Sequence, residues 1–519
     1  MTLCDPDTSS RRMDEFHIDG ESLRPEDVLA IANGQHTASL SESSREAMVG
    51  SRSAIERVLD SDDVVYGINT GFGALSSVRI EQGQLEDLQV NLIRSHACGV
   101  GKRMEPEHVL MMMIIRANSL AKGFSGARPA VVDLMLSMVN ARIAPVVPRI
   151  GSLGASGDLA PLSHMALSLI GEGECTIWDE DSWIVMKSSD ALSSAGLSPI
   201  KLQAKEGLSL INGTSQMCAY LAIALTDLEN LLLAVDCAVA SSLEGIRGSH
   251  APFDPRIHAS RPHFGQSISA ARISGMLADS EIMLSHADCD RVQDAYCFRC
   301  SPQVHGPVID LAREVRRMLE VEINSATDNP LVFVEDNGYD IISGGNFHGQ
   351  NLAMASDAIA LACHELASLS ERRINQLLDP KWSGQKPFLS NEEGLESGLM
   401  LIQYVAVALI SELHLLANPA TSSNVPVSMG KEDHASMGAT GTFRATTSTR
   451  YLSQVIANVL ICSCEALDRI EKAPGNGVET LHEWVRKHVF PLESDRSLTT
   501  ECETLSSAIM NGEIGRLFG

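Results

Sequence analysis

Beyond about residue 200, apolar positions recur every three or four residues over long stretches of the chain. Leu352, Ala355, Ile359, Ala362, Leu366, Leu369, Ile374 and Leu377 follow that spacing, and Asp379-Pro380 closes the run. Similar stretches occupy about 204–247, 396–417 and 441–472. A helix with one apolar stripe cannot bury it alone, so these stretches predict a long-helix bundle over 201–519. Over 15–200 the pattern changes, and short helical stretches alternate with Gly-rich loops. Thr176–Met186 places apolar residues on either side of an acidic turn, which predicts a small β-hairpin. Residues 1–14 are polar and predict a frayed, disordered tail. No internal repeat or low-complexity linker separates the two larger regions, so they read as integral parts of one mainly α protein.

Composition sharpens this picture. Of 519 residues, 44% are hydrophobic but only 4% aromatic, so the core rests mainly on Ala, Leu, Ile, Val and Met. Such a core favours packed helices over a β-rich architecture. The formal charge of −26, from 40 basic and 66 acidic residues, repels polyanions and argues against nucleic-acid binding. The uncharged run Gly207–Thr226 has the length of a membrane span. Its Asn212, Thr214, Ser215 and Gln216 instead predict a buried helix with a polar end. The first residues carry neither a positive nor an apolar stretch of signal-peptide type, and the expectation is a soluble, cytoplasmic protein without a membrane partner. The 12 cysteines form no framework, and Cys297-Phe-Arg-Cys300 has no second pair to complete a zinc site. No metal is expected.

Chemistry concentrates in Gly151-Ser-Leu-Gly-Ala-Ser-Gly-Asp-Leu-Ala-Pro-Leu-Ser-His164. At its centre the amide nitrogen of Gly157 can attack the carbonyl carbon of Ala155 if the backbone bends tightly. Glycine suits that nitrogen because no Cβ blocks the approach and unusual φ/ψ are tolerated. Loss of water from the ring and from the Ser156 hydroxyl leaves 4-methylideneimidazol-5-one (MIO), an electrophile that needs no pyridoxal phosphate. Alone, Ala-Ser-Gly reads equally well as a small-residue turn before a helix. The full segment of fourteen residues resembles the signature of the aromatic amino acid ammonia-lyases, which make this group from their own backbone. The resemblance continues in family order through Tyr66–Gly73, Ile211–Thr214, Gln293–Gly306, Glu322–Pro330, Ser343–Gln350, Ser370–Arg373 and Glu432–Met437. It spans roughly residues 60–440.

What the resemblance implies is a mainly α, fumarase-like fold and a set of roles. Ammonia elimination needs an electrophile, a base for a weakly acidic β-hydrogen and a cation for the carboxylate. By resemblance Tyr66 is the base, although a phenol is a weak one unless positive charge or donors surround it. Without the resemblance Tyr66 reads as a buried tyrosine with a satisfied hydroxyl. Arg299 is implied as the carboxylate clamp, its guanidinium fork matching two parallel hydrogen bonds, with Gln293 and Tyr296 in support. Asn212 resembles the asparagine that hydrogen-bonds the imidazolone carbonyl, and an asparagine there also suits a helix cap.

Three positions bear on the substrate side chain. Ser95-His96 and Asn346-Phe347-His348 match the histidine branch of the family. Glu432 is an acid where the phenylalanine and tyrosine branches generally carry an amide. A carboxylate can accept from one imidazole nitrogen while His96 bonds the other. A benzyl group would leave both polar groups unpaired, at about 1–3 kcal/mol each. The resemblance thus implies conversion of L-histidine to trans-urocanate and ammonia, in a homotetramer whose sites are shared between subunits. Lys431, Cys297 and Phe298 depart from the family's commoner residues and bear on fine specificity. An aminomutase, or a lyase for another aromatic amino acid, fits the same motifs. A fumarase-type lyase is disfavoured because its Gly-Ser-Ser-x-Met-Pro loop is absent. The reading of a different class is an inactive helical scaffold, which the intact Tyr66, Ser156, Arg299 and Glu432 oppose.

Overall fold

A computed structural model describes residues 14–61, 63–71, 80–286, 292–336 and 338–518. The tail read over 1–14, apart from Asp14, lies outside these residues, as do Phe72 and Gly73 of the Tyr66 loop. Two compact units are present. The first draws on Met1–Ala222, Met318–Met354 and Ala420–Thr442, and the second on Ile223–Arg317, Ala355–Pro419 and Phe443–Gly519. Each unit therefore assembles from three stretches of chain.

In the first unit the Pro106–Ala121 helix is buried on every side from Val109 onward. A helix buried all round belongs in the middle of a core, and its polar Arg116, Asn118 and Ser119 are hydrogen-bonded there. Short strands frame it. Glu15–Ile18 pairs in parallel with Thr37–Leu40, and Val100–Arg103 pairs antiparallel with Pro148–Ile150, the strand that leads into Gly151. The predicted hairpin is present as Glu174–Asp179 and Ser182–Lys187, with Ile143–Pro145 as a third strand. Trp178 stands opposite Trp183 across it, and the Arg142 guanidinium lies 4.9 and 5.1 Å from the two ring centres.

Periodicity locates the long helices well. Gln350–Leu378 covers the run that starts at Leu352, and Asp379 then caps Pro380–Ser383 by accepting from the Lys381 amide at 2.9 Å. Met400–Leu416 and Gly438–Leu467 match the other two stretches. The stretch 204–247 differs, because Glu206–Ile211 and Ser215–Gly245 are separate helices. Asn212 between them is extended (φ −96°, ψ 98°), and the reason for the break is a contact made by Gly213 in the candidate site. Ser301–Ile323 is a further long helix that the apolar spacing did not single out, with Pro307 in its interior.

The second unit is held by helix packing and by a few buried polar ties. Arg373, fully buried, donates from Nε to the Cys297 carbonyl at 2.8 Å and from Nη2 to Ser301 Oγ at 3.0 Å. Nε2 of His305 accepts from the same guanidinium at 2.9 Å, and its Nδ1 bonds Asp236 at 2.8 Å. Burial lowers Arg373 to about 10. Met400–Leu416 buries only Ile402, Ala406 and Leu413.

Candidate active site

Pro148–Ile150 delivers the chain into the Ala155-Ser156-Gly157 loop, and Leu159–Leu169 carries it away. Gly154 (φ +66°) and Gly157 (φ +76°) both occupy the left-handed region. At Gly157 the glycine is doubly required, since a Cβ there would collide with the carbonyl oxygen of Gly213. Gly213 is confined in turn, because a Cβ on it would strike the Arg116 guanidinium. The two glycines form a parallel bridge, and the Asp158 amide donates to the Gly213 carbonyl at 2.7 Å. This contact is what interrupts the helix predicted across residue 212.

Asp158 locks the downstream end of the loop. Its Oδ1 accepts from Ser152 Oγ at 2.8 Å, and its Oδ2 accepts from the Gln216 and Met217 amides at 2.8 and 3.0 Å. Those amides open the Ser215–Gly245 helix, whose N-terminus favours a negative charge. Burial pushes the Asp158 carboxyl up to about 6, against the opposing pull of hydrogen bonds from Met217, Ser152 and Gln216. Upstream, the Gly154 carbonyl accepts from Ser436 Oγ at 2.9 Å and from the Gly349 amide at 3.3 Å. The Met437 amide donates to the Leu153 carbonyl at 2.8 Å. Both ends of the tripeptide are thus fixed by residues remote in sequence.

Ala155 and Gly157 are buried, and Ser156 faces a cavity of about 230 Å³. Tyr66, His96, Asn212, Phe347 and Glu432 line the same cavity, so six of the residues read from the sequence converge there. Leu92, Leu159, Leu208 and Ile211 supply apolar wall. Tyr66 sits on a turn held by Asn69, whose Oδ1 accepts from the Val65 amide at 2.9 Å and whose Nδ2 donates to the Asp63 carbonyl at 2.8 Å. His96 ends the Leu85–His96 helix, with Nδ1 2.8 Å from the Leu92 carbonyl and 3.0 Å from Ser95 Oγ. Glu432 is aimed by a tight turn in which Ser428 (φ +52°) and Met429 (φ +56°) are left-handed and Val427 pairs with Glu432. The Glu432 carboxylate has no protein partner among the described residues.

Asn212 is buried and donates from Nδ2 to the Asn329 carbonyl at 3.2 Å, while its Oδ1 has no partner among the described residues. The Asn212 amide nitrogen carries two hydrogens and gives one to Asn329, so the other can donate to a carbonyl beside the tripeptide, while the unpaired oxygen can accept from a donor brought into the site. With Gly157 free of a Cβ and Ser156 open to the cavity, these residues fit the imidazolone group. Among the described residues, no group of three or more His, Cys, Asp or Glu side chains could hold a metal ion.

Gln293, Tyr296 and Arg299 belong to the second unit. Gln293 and Arg299 line another cavity, of about 520 Å³, and neither they nor Tyr296 line the Ser156 cavity within one chain. The Arg299 guanidinium lies 4.6 Å from the centre of the ring of Tyr296, a residue 67% exposed, and its Nε is buried without a partner among the described residues.

Several supporting residues escaped sequence reasoning. Ser428 lines the cavity, as does Asn329, which the Glu322–Pro330 segment contained without a role assigned to it. Behind it, Lys205 and Asp328 form a fully buried ion pair at 2.6 Å, and Arg116 bonds the Ser209 carbonyl and Thr327. Arg128 forks onto buried Glu206 at 2.7 Å through both Nε and Nη2. The signal was present in Lys205-Glu206, two charges at the head of an apolar run.

Comparison with known proteins agrees with this geometry. The model of the aromatic amino acid lyase family matches residues 23–487. A histidine ammonia-lyase of Myxococcus xanthus (strain DK1622) is 44% identical over 498 residues, covering 96% of this chain and 97% of that protein. The crystal structure of histidine ammonia-lyase from Trypanosoma cruzi superposes with a TM-score of 0.89 at 36% identity, covering 97% of this chain and 94% of that one. Tyrosine aminomutase from Streptomyces globisporus superposes equally well, with a TM-score of 0.89, 32% identity and coverage of 97% and 98%. A mainly α fold, a tripeptide bent between paired glycines and a match along most of the chain agree that this protein belongs to the aromatic amino acid lyase family.

Proposed function

We propose that this carbon–nitrogen lyase eliminates ammonia from L-histidine to give trans-urocanate, using MIO made from Ala155, Ser156 and Gly157. The observation that carries the reading is the meeting of His96 and Glu432 with Ser156 and Tyr66 in one cavity. When formed, the group supplies an electron-poor alkene to the reaction. Asn212 is placed to hold it by hydrogen bonding, and the Gly157–Gly213 contact to hold the backbone bent. Tyr66 takes the β-proton from substrate. The Leu92 carbonyl can only accept, so His96 Nδ1 carries the proton and Nε2 is left to accept from a ring N–H of the substrate. Glu432 takes the other side of the ring.

Arg299, with Gln293 and Tyr296, binds the substrate carboxylate from a second copy of the chain. A homotetramer with shared sites accommodates this, and the lightly buried Met400–Leu416 helix gives such an assembly apolar surface to cover. The protein works in the cytoplasm, without metal, pyridoxal phosphate or nucleic acid. Ultraviolet assays with L-histidine, L-phenylalanine and L-tyrosine, alongside Ser156→Ala, test the reading. Urocanate from histidine alone, lost in the variant, is expected, and product from another amino acid would overturn the substrate assignment. The likeness to a tyrosine aminomutase favours one second reading, amine return to the β-carbon. Chromatography showing β-histidine as main product would select it.

A further inference from the structure

Two imidazoles meet beside the cavity and take no part in the chemistry above. His348 follows Phe347, and His434 stands two residues beyond Glu432. Their ring centres are 5.3 Å apart with planes inclined by 30°. Nε2 of His348 lies 3.3 Å from Nδ1 of His434 and 3.3 Å from the His434 carbonyl oxygen. A carbonyl only accepts, so His348 Nε2 carries the proton and His434 Nδ1 is a second acceptor for it. The two segments are also joined through one atom, the Gly154 carbonyl, which accepts from Gly349 on one side and Ser436 on the other. Asn424 brackets His434, accepting from the Ala435 amide at 2.6 Å and donating to the Asp433 carbonyl at 3.3 Å. The backbone on either side of the exposed His434 is thereby held, and the Phe347 segment is tied to it through His348.

We propose that His348 and His434 are positioning residues whose contact sets the span between the Phe347 ring and the Glu432 carboxylate. That span decides whether an imidazole fills the cavity with its nitrogens paired, so the tie acts on the preference for an imidazole over a benzyl side chain. The inference rests on L-histidine being the substrate. Neither imidazole lines the cavity, so both act through their neighbours. Displacement of a binding group by a fraction of an ångström is enough to weaken a productive complex.

Steady-state kinetics on the full chain test this, with L-histidine and L-phenylalanine as substrates. The variants are His348→Ala, His434→Ala, the double alanine change, His348→Gln and His434→Asn. A glutamine amide nitrogen can replace Nε2 as donor, and an asparagine oxygen can replace Nδ1 as acceptor. Each alanine change is expected to raise KM for L-histidine about tenfold, the size of one lost hydrogen bond, with a smaller effect on kcat. The double change should be no worse than either single one, and the preference for histidine over phenylalanine should narrow. The Gln and Asn changes should return KM to within about twofold of wild type. No turnover of L-histidine by the wild-type protein overturns the substrate reading and this inference together. With wild-type turnover intact, unchanged KM in the alanine variants, or additive effects in the double variant, overturns the tie alone. Where an alanine variant does not fold, His348→Gln and His434→Asn decide, and a KM raised about tenfold in both overturns it.

Discussion

Nδ1 of His96 is 2.8 Å from the carbonyl oxygen of Leu92, one helical turn back on the same helix. That bond fixes the tautomer as well as the ring orientation, and it presents a bare Nε2 to the cavity. His96→Ala should raise KM for L-histidine about tenfold, as expected for a lost neutral hydrogen bond, while kcat falls less. Initial-rate measurements across substrate concentration check this. A fall in kcat at unchanged KM would remove His96 from substrate binding.

Gly213→Ala probes the bend. The new Cβ would meet Arg116 and press the backbone off Gly157, and overpacking of this kind typically costs about 1–3 kcal/mol. The variant should retain its fold but fail to cyclise. Intact-mass spectrometry reads this directly, since wild type should weigh less than its sequence by two waters and the variant should not. A variant showing the full deficit would mean that the glycine pair is dispensable for cyclisation.

Asp158 gives a pH dependence with a defined sign. Its folded value, about 6, lies above the ordinary value of 3.8, so the folded state binds this proton more tightly than the unfolded state does. The carboxylate therefore costs stability at neutral pH, and the cost is relieved as pH falls from 6 towards 4. Two units correspond to a change on the order of 3 kcal/mol. Urea unfolding of wild type and Asp158→Asn at pH 7 and pH 4.5 should show wild type gaining on the variant at the lower pH. A difference independent of pH would contradict the raised value.

Lys205 and Asp328 are buried together, so removing one charge strands the other. Asp328→Asn should destabilise the protein by about 3–5 kcal/mol, while Lys205→Met with Asp328→Leu should recover much of that loss. Chemical denaturation of the three proteins tests the expectation, and a harmless Asp328→Asn would refute it.

Much of this was legible in the chain itself. The stripe from Leu352 to Leu377 became one helix because its burial is dictated locally, every third or fourth residue. The hairpin around Trp178 and Trp183 was legible for the same reason. The break at Asn212 was not, since its cause is the close approach of Gly157, far away along the chain. Ser301–Ile323 was missed because Gly306 and Pro307 interrupt the usual helical cues. At the site, motifs supplied Tyr66, Ser156 and Glu432 and contained Asp158, but the anchoring role of Asp158 and the buried supports Arg116 and Lys205 follow only from packing. No pattern in one chain could tell that Arg299 lines a different cavity from Ser156.

The meeting of Gly157 with Gly213 has a bearing on the life of the protein as well as on its reaction. The tripeptide is held in its bent form only after the loop has docked on Gly213, Gly349 and Ser436, which arrive from three separate regions of the chain. A nascent or misassembled polypeptide lacks that vice, so its peptide bonds at this point stay ordinary. On the proposed chemistry, the reactive group is therefore withheld from every chain in which these contacts have not formed. In a cell making this protein, a potent electrophile would be present only where walls already stand around it. A two-water mass deficit, if the proposed group forms, would then double as a count of correctly folded molecules.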